Sequence, residues 1–143
     1  MKNIKVIIFD LGGTLKVSRV LQLFPETKDV LKKLSKKYRL VIGANQPVYA
    51  YQFLKDFGIE NYFEKVYLSV EIGYEKPDPM FFQYILNDLK LKPDNVIMVG
   101  DNYENDIAPA RLLGIKTVWL NYLEEEDESD FTIQNLKEVL EIL

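Results

Sequence analysis

Two aspartates each close a run of strongly apolar residues: Val6-Ile7-Ile8-Phe9 runs into Asp10, and Val96-Ile97-Met98-Val99-Gly100 runs into Asp101. Short apolar runs bounded by turn residues read as strands buried on both faces of a parallel sheet. In such sheets ligands bind in the crevice outside the carboxyl ends of the strands, so a carboxylate at a strand tip is a candidate for chemistry. If the two strands are neighbours at the switch point of the sheet, Asp10 and Asp101 converge, joined by Asp106 on the helix that starts there. Three close carboxylates repel one another unless a cation joins them. Oxygen donors in a chain without His or Cys favour Mg²⁺ over zinc or copper. A phosphate-bearing substrate would complete that cation's shell, its anionic oxygens met by Lys76 and by backbone N–H groups after Asp10. Gly12 and Gly13 let the backbone fold close to Asp10.

Composition narrows the chemistry further. The chain has 143 residues, 48% hydrophobic and 28% charged, which suits one domain spanning residues 1–143. With no cysteine there are no disulfides or thiolate metal sites, and with no histidine no Ser-His mechanism, so catalysis falls to carboxylates, Lys, Tyr or hydroxyls. No apolar run is long enough to span a bilayer, and Asp10 interrupts the N-terminal stretch that a signal peptide would keep apolar. A cytoplasmic protein with no membrane partner is expected. Eighteen Lys and Arg against 22 Asp and Glu argue against general nucleic-acid binding. Lys32, Lys33, Lys36 and Lys37 read as a solvated helix exterior, and Glu124-Glu125-Glu126-Asp127-Glu128 as a solvated, mobile loop.

The elements that must position the carboxylates alternate between strand and helix. After the Asp10 turn, Lys16 to Leu23 reads as a small flap or hairpin. Pro25 suits the first turn of a helix that carries Val30, Leu31 and Leu34 on one face and ends near Tyr38. Leu40 to Ala44 reads as a second strand with a polar tip at Asn45, and Pro47 opens a helix with Tyr51, Phe53, Leu54 and Phe57 on its apolar face. Val66 to Val70 reads as a third strand, Glu71 to Pro79 as a loop, and Met80 to Leu89 as a helix. Beyond Asp101, a helix from about Asn105 to Leu113 tolerates Pro109 near its start. Thr117 to Leu120 is a fifth strand, and Thr132 to Leu143 a terminal helix with Ile133, Leu136, Val139, Leu140 and Leu143 inward. This alternation predicts an α/β, Rossmann-like, doubly wound parallel sheet of about five strands.

Four segments in this order, Asp10-Leu11-Gly12-Gly13-Thr14, Gly43-Ala44-Asn45, Lys76-Pro77-Asp78-Pro79 and Gly100-Asp101-Asn102-Tyr103-Glu104-Asn105-Asp106, resemble the four motifs of the haloacid dehalogenase superfamily of phosphohydrolases. The resemblance covers essentially the whole chain. It implies Asp10 as nucleophile, forming an aspartyl-phosphate, and as a Mg²⁺ ligand. The Gly12 carbonyl and Asp101 would also ligate the metal, with Asp106 acting directly, through water, or by orienting Asp101. Lys76 would neutralise charge on the nucleophile and the transferring phosphoryl group. Gly13 and Asn45, beside these motifs, are candidates for holding the phosphate, and Tyr74 and Tyr103 for walls of the pocket.

The chain departs from the family pattern twice. Its phosphatases usually carry a second Asp two residues after the nucleophile, which protonates the leaving group and then activates water; here that residue is Gly12. General acid–base catalysis is worth about 10²–10⁴-fold, so the loss should fall hardest on alkyl phosphates and least on aryl or acyl phosphates. Ala44 stands where the family has a Ser or Thr that hydrogen-bonds the phosphoryl oxygens. Asn45, Gln46 and Glu71 are the candidates to replace the missing acid.

Related enzymes insert a cap domain after the first motif or between the second and third, and here both intervals are too short for one. The expectation is a capless Mg²⁺-dependent phosphohydrolase with a weakened acid–base step. Its substrate would be phosphorylated, a small molecule or a macromolecule, and a second subunit of a homo-oligomer is one candidate lid. The alternative is an inactive relative that keeps the metal and phosphate pocket.

Overall fold

The computed structural model describes residues 3–143. Six strands, β1 (Val6–Phe9), β2 (Arg39–Ala44), β3 (Lys65–Leu68), β4 (Val96–Gly100), β5 (Lys116–Leu120) and β6 (Phe131–Ile133), form one sheet in the order β3-β2-β1-β4-β5-β6. Every pairing is parallel. The chain winds outward from β1 in one direction and from β4 in the other, so the switch point lies between these two strands.

The central strands are apolar throughout because both faces are covered. Along β1, Ile7 and Phe9 enter a core with α1 (Thr27–Leu34) and α2 (Tyr49–Asp56), while Val6 and Ile8 enter a second core with α4 (Pro79–Leu89) and α5 (Ala108–Leu112). This period-two division is that of a strand buried on both sides. Phe9, Phe81, Phe82 and Trp119 are among the largest wholly buried side chains. Removing one such group from water contributes about 1.5–3 kcal/mol. Helix α4 begins as its sequence predicts: Pro79 occupies the first turn, and the Asp78 carboxylate accepts the Met80 N–H at 2.9 Å.

Three expectations are corrected. The sheet has six strands rather than about five, because Phe131-Thr132-Ile133 pairs with Val118–Leu120 instead of opening the terminal helix. Helical structure begins only after Asn135, whose side chain caps it in a box with Glu138, and ends with α6 (Val139–Ile142). The third strand stops at Leu68; Ser69 and Val70 instead open a short helix, α3 (Ser69–Ile72), which Gly73 closes at φ 82°. Tyr51 lies on the exposed side of α2, whose buried residues are Ala50, Phe53 and Leu54.

The turn after β4 also differs from a regular helix start. Tyr103–Ile107 forms one wide π-turn, closed by the Ala108 N–H onto the Tyr103 carbonyl, before α5 begins. Pro109 has no N–H to donate to the Asn105 carbonyl, so the ordinary helical bond at that point is missing. The flap is present as expected: Lys16 and Leu23 form an antiparallel bridge, and the Thr27 hydroxyl ties its base to α1 by donating to the Leu15 carbonyl at 2.7 Å.

Candidate active site

Asp10 directly follows β1 and Asp101 directly follows β4, and the register pairs Phe9 with Val99, so the two aspartates leave the sheet side by side. Asp106 folds back beneath them from the π-turn. One carboxylate oxygen from each of the three lies within 4.8 Å of the others. Two glycines permit this crowding. A Cβ at Gly13, where φ is +83°, would stand 2.2 Å from Asp101 Oδ2, and one at Gly100 would stand 2.4 Å from Asp106 Oδ2.

A single ammonium threads this cluster. Lys76 Nζ donates to Asp10 Oδ1 at 2.9 Å, to Asp106 Oδ1 at 2.5 Å and to the Gly43 carbonyl at 3.0 Å, with its side chain only 2% exposed. Asn45, at the end of β2, holds the Lys76 backbone from both sides. Its Nδ2 donates to the Lys76 carbonyl at 2.8 Å, and its Oδ1 accepts the Lys76 N–H at 2.9 Å. Asp101 is fixed less directly: the Trp119 indole N–H donates to its carbonyl at 3.1 Å, and the Thr14 hydroxyl approaches its carboxylate at 3.4 Å.

Burial and mutual repulsion govern the charges. Burial, then the Asp10 carboxylate, push both Asp101 and Asp106 up to about 7. Burial disfavours the Lys76 ammonium, but the Asp10 and Asp106 carboxylates outweigh it and hold its pKa above the ordinary lysine value. Three carboxylates against one ammonium leave two negative charges uncompensated when all are ionised, which one divalent cation would neutralise. The donor set is all oxygen, as Mg²⁺ prefers. Both Asp106 oxygens already accept hydrogen bonds, one from Lys76 and the other from the Asn102 N–H at 3.1 Å. Asp10, Asp101 and the Gly12 carbonyl, which accepts no hydrogen bond among the described residues, are less committed.

A cleft of about 220 Å³ opens over the cluster, and Asp10, Gly12, Asn45, Gln46, Lys76, Asp101 and Asp106 all line it. Other expected residues turn out differently placed. Gly13 is not free to hold a phosphate: its N–H donates to the Lys16 carbonyl at 2.7 Å and its carbonyl accepts the Tyr122 hydroxyl at 3.0 Å. The N–H groups of Leu11 and Gly12, by contrast, find no acceptor among the described residues. Asn45 reaches the cleft, but its amide is spent on Lys76. Glu71 lies outside the cleft, accepting the Tyr51 hydroxyl, so it does not replace the missing acid. Tyr74 is absent from the cleft, and Tyr103 packs on Trp119 at 4.9 Å between ring centroids, beside a neighbouring hollow. Residues 124–128 are exposed, yet Asn121 pins the Glu125 backbone by two hydrogen bonds.

Sequence reasoning missed three cleft residues: Ser18 from the flap, and Asn102 and Asn105 from the π-turn. Asn102 had a readable signal, an Asn at a helix start, and its side chain does accept the Asn105 N–H at 3.0 Å. Ser18 had none, because its position depends on how the flap folds over.

Residues 14–120 match the model of the haloacid dehalogenase-like hydrolases. Curated relatives include a glyceraldehyde 3-phosphate phosphatase of Pyrococcus furiosus, 31% identical over 128 residues that cover 83% of this chain and 53% of the relative. A phosphoserine phosphatase of Thermus thermophilus is 37% identical over 86 residues, 57% of this chain and 34% of the relative. The chain spans about half the length of the glyceraldehyde 3-phosphate phosphatases it matches. Among solved structures, a HAD phosphatase from Thermococcus onnurineus superposes with a TM-score of 0.86 at 22% identity over 97% of both chains. The HAD-hydrolase YfnB of Bacillus subtilis, described as bound to magnesium, gives 0.81 at 25% identity over 86% of this chain and 57% of its own.

Proposed function

The chain belongs to the haloacid dehalogenase-like hydrolase family, and on that premise we propose that it is a Mg²⁺-dependent phosphohydrolase acting through an aspartyl-phosphate on Asp10. One observation carries the reading: the convergence of Asp10, Asp101 and Asp106 within 4.8 Å around a single buried ammonium. That donor set suits one divalent cation, held by Asp10, Asp101 and the Gly12 carbonyl and steadied by Asp106. When bound, Mg²⁺ would neutralise phosphoryl charge and let the anionic nucleophile and substrate approach.

The chain's own residues supply the rest. Lys76 fixes the Asp10 carboxylate in direction through its 2.9 Å hydrogen bond, and its positive charge would offset the charge that develops on the phosphoryl group. The unpaired N–H groups of Leu11 and Gly12, beside Asp10, would donate hydrogen bonds to the equatorial phosphoryl oxygens. Among the described residues, no carboxylic acid other than the triad lines the cleft, so protonation of the leaving group is the weak step. The substrate is a phosphorylated small molecule or macromolecule that meets an uncapped cleft.

Hydrolysis of 4-nitrophenyl phosphate with and without Mg²⁺, by the wild type and by Asp10→Asn, tests the reading. Slow turnover that needs both Mg²⁺ and Asp10 is expected. A wild-type rate no higher than that of Asp10→Asn overturns it and favours a non-catalytic protein that keeps the pocket, a second reading that Gly12 and Ala44 support.

A further inference from the structure

The space vacated by the missing acid is occupied. A Cβ built on Gly12 would lie 3.4 Å from Gln46 Nε2, so the Gln46 amide sits where a side chain at position 12 would project. Its orientation is set from behind, since the Tyr49 hydroxyl donates to Gln46 Oε1 at 3.0 Å. With the oxygen held, the Nε2 donors point away from Tyr49, and they find no acceptor among the described residues although Gln46 lines the cleft. Lys76 and Asn45, which line the cleft beside it, are committed elsewhere. The three N–H bonds of Lys76 go to Asp10, Asp106 and the Gly43 carbonyl, and the Asn45 amide goes to the Lys76 backbone.

A carboxamide can donate a hydrogen bond to a leaving oxygen but cannot give up a proton near neutral pH. Such a contact suffices on its own only for a leaving group that departs as a stable anion. The cleft lining adds a second restriction: it comprises carboxylates, amides, a lysine, a serine and a glycine, with no aliphatic or aromatic side chain to receive a ring. We propose that Gln46 is the leaving-group contact of this cleft and that the substrates it selects are acyl phosphates, whose leaving group is a carboxylate.

The proposal rests on the phosphohydrolase reading and deepens it. The Asp10 oxygen not held by Lys76 bonds to phosphorus as the P–O bond to the acyl group breaks. The electron pair leaves with the carboxylate oxygen, which takes hydrogen bonds from Gln46 Nε2 and needs no proton. Water then bonds to phosphorus and the P–O bond to Asp10 breaks, returning its electron pair to the Asp10 carboxylate. The proton of the attacking water passes to a phosphate oxygen or to solvent.

The experiment measures kcat/KM of the wild type, Gln46→Met and Gln46→Ala on acetyl phosphate, 4-nitrophenyl phosphate and glycerol 2-phosphate with Mg²⁺. Rates of Asp10→Asn are subtracted as background. Without a proton donor, acetyl phosphate is expected to exceed glycerol 2-phosphate by ~10³-fold or more in the wild type. Losing a hydrogen bond to a charged oxygen should cost both Gln46 variants ~10–100-fold on acetyl phosphate. Gln46→Met keeps the length of the side chain and guards against a packing effect of the alanine. Asp10-dependent turnover of 4-nitrophenyl phosphate with unchanged acetyl phosphate kinetics in both variants overturns the role of Gln46 and leaves the phosphohydrolase reading standing. A wild type that prefers 4-nitrophenyl phosphate or glycerol 2-phosphate to acetyl phosphate overturns the acyl class. No Asp10-dependent turnover of any of the three overturns both readings.

Discussion

Lys76 Nζ and Asp106 Oδ1 meet at 2.5 Å in the interior, with side chains no more than 2% exposed. Breaking a buried pair strands a charge without its partner, which typically costs about 3–5 kcal/mol. Asp106→Ala is expected to fall at the lower end of that range, because Lys76 retains Asp10. The exposed Lys33–Asp29 pair at 3.0 Å supplies a contrast, since such surface pairs contribute about 0–1 kcal/mol. Urea unfolding of Asp106→Ala and Lys33→Ala separates the two cases. Equal midpoints would show that the buried pair contributes no more than the surface one.

The raised Asp101 and Asp106 carboxyls make stability depend on pH and on Mg²⁺ together. Each rises from an ordinary value near 3.8 to about 7, so between those limits the folded protein binds more protons than the unfolded chain. Metal-free stability therefore falls as pH rises from about 4 to about 7. A cation must displace those protons, so its stabilisation grows over the same interval. The gain in Tm on adding Mg²⁺ should be larger at pH 8 than at pH 6. An equal gain at both would mean that the two carboxyls do not release protons to the metal.

Asn45 holds the Lys76 backbone by two hydrogen bonds, and its side chain makes no hydrogen bond to Asp10, Asp101 or Asp106. Its removal should let the Lys76 ammonium wander, and small misplacements of catalytic groups are costly, so Asn45→Ala is expected to lower kcat by ~10-fold or more. Mg²⁺ affinity should stay within ~3-fold, because the hydrogen bonds lost are to the Lys76 backbone rather than to a carboxylate. A loss of metal affinity with kcat intact would reverse this assignment.

Much of this arrangement could be read from the chain because the signals are local. The apolar runs before Asp10 and Asp101 mark buried strands, and strand tips in a parallel sheet share one edge. The strand at Phe131–Ile133 was hidden because Ile133, Leu136 and Val139 also fit a helical stripe; only the capping box at Asn135 shows where the helix starts. Ser69-Val70 continues an apolar run, but Val70 has no neighbour to cover it and is 63% exposed on a helical turn. The commitments of Gly13, Asn45 and Glu71 are invisible in sequence because their partners lie at a distance: Gly13 to Tyr122, Asn45 to Lys76, and Glu71 to Tyr51.

Gly13 and Gly73 share a left-handed backbone, at φ +83° and +82°, but not their surroundings. A left-handed alanine costs about 1 kcal/mol wherever it stands. At Gly73 nothing lies within 4 Å of the added Cβ, so Gly73→Ala should cost only that amount. At Gly13 the Cβ would stand 2.2 Å from Asp101 Oδ2, and the carboxylate must move. Gly13→Ala should therefore weaken Mg²⁺ binding at least ~10-fold as well as lowering Tm, because outlying support of a metal ligand matters at that scale. Titration calorimetry showing wild-type Mg²⁺ affinity in Gly13→Ala would remove Asp101 from the metal site.

Gly12→Asp tests whether a proton donor is what the cleft lacks. Gly12 is not in the left-handed region, and its Cβ would meet only Gln46 Nε2 at 3.4 Å, so a side chain fits without backbone strain. The new carboxyl would stand beside Gln46, on the side from which a leaving group departs. Substrates with poor leaving groups should gain most: kcat/KM for glycerol 2-phosphate is expected to rise by ~10²-fold, the lower end of what general acid catalysis supplies. The gain stays at that lower end because the Gln46 amide competes for the same space. Acetyl phosphate, whose carboxylate leaves without a proton, should change by less than ~10-fold. Removing the competitor as well, in Gly12→Asp with Gln46→Ala, should raise the alkyl phosphate rate further. A natively folded Gly12→Asp with unchanged glycerol 2-phosphate kinetics would show that protonation of the leaving group does not limit this cleft.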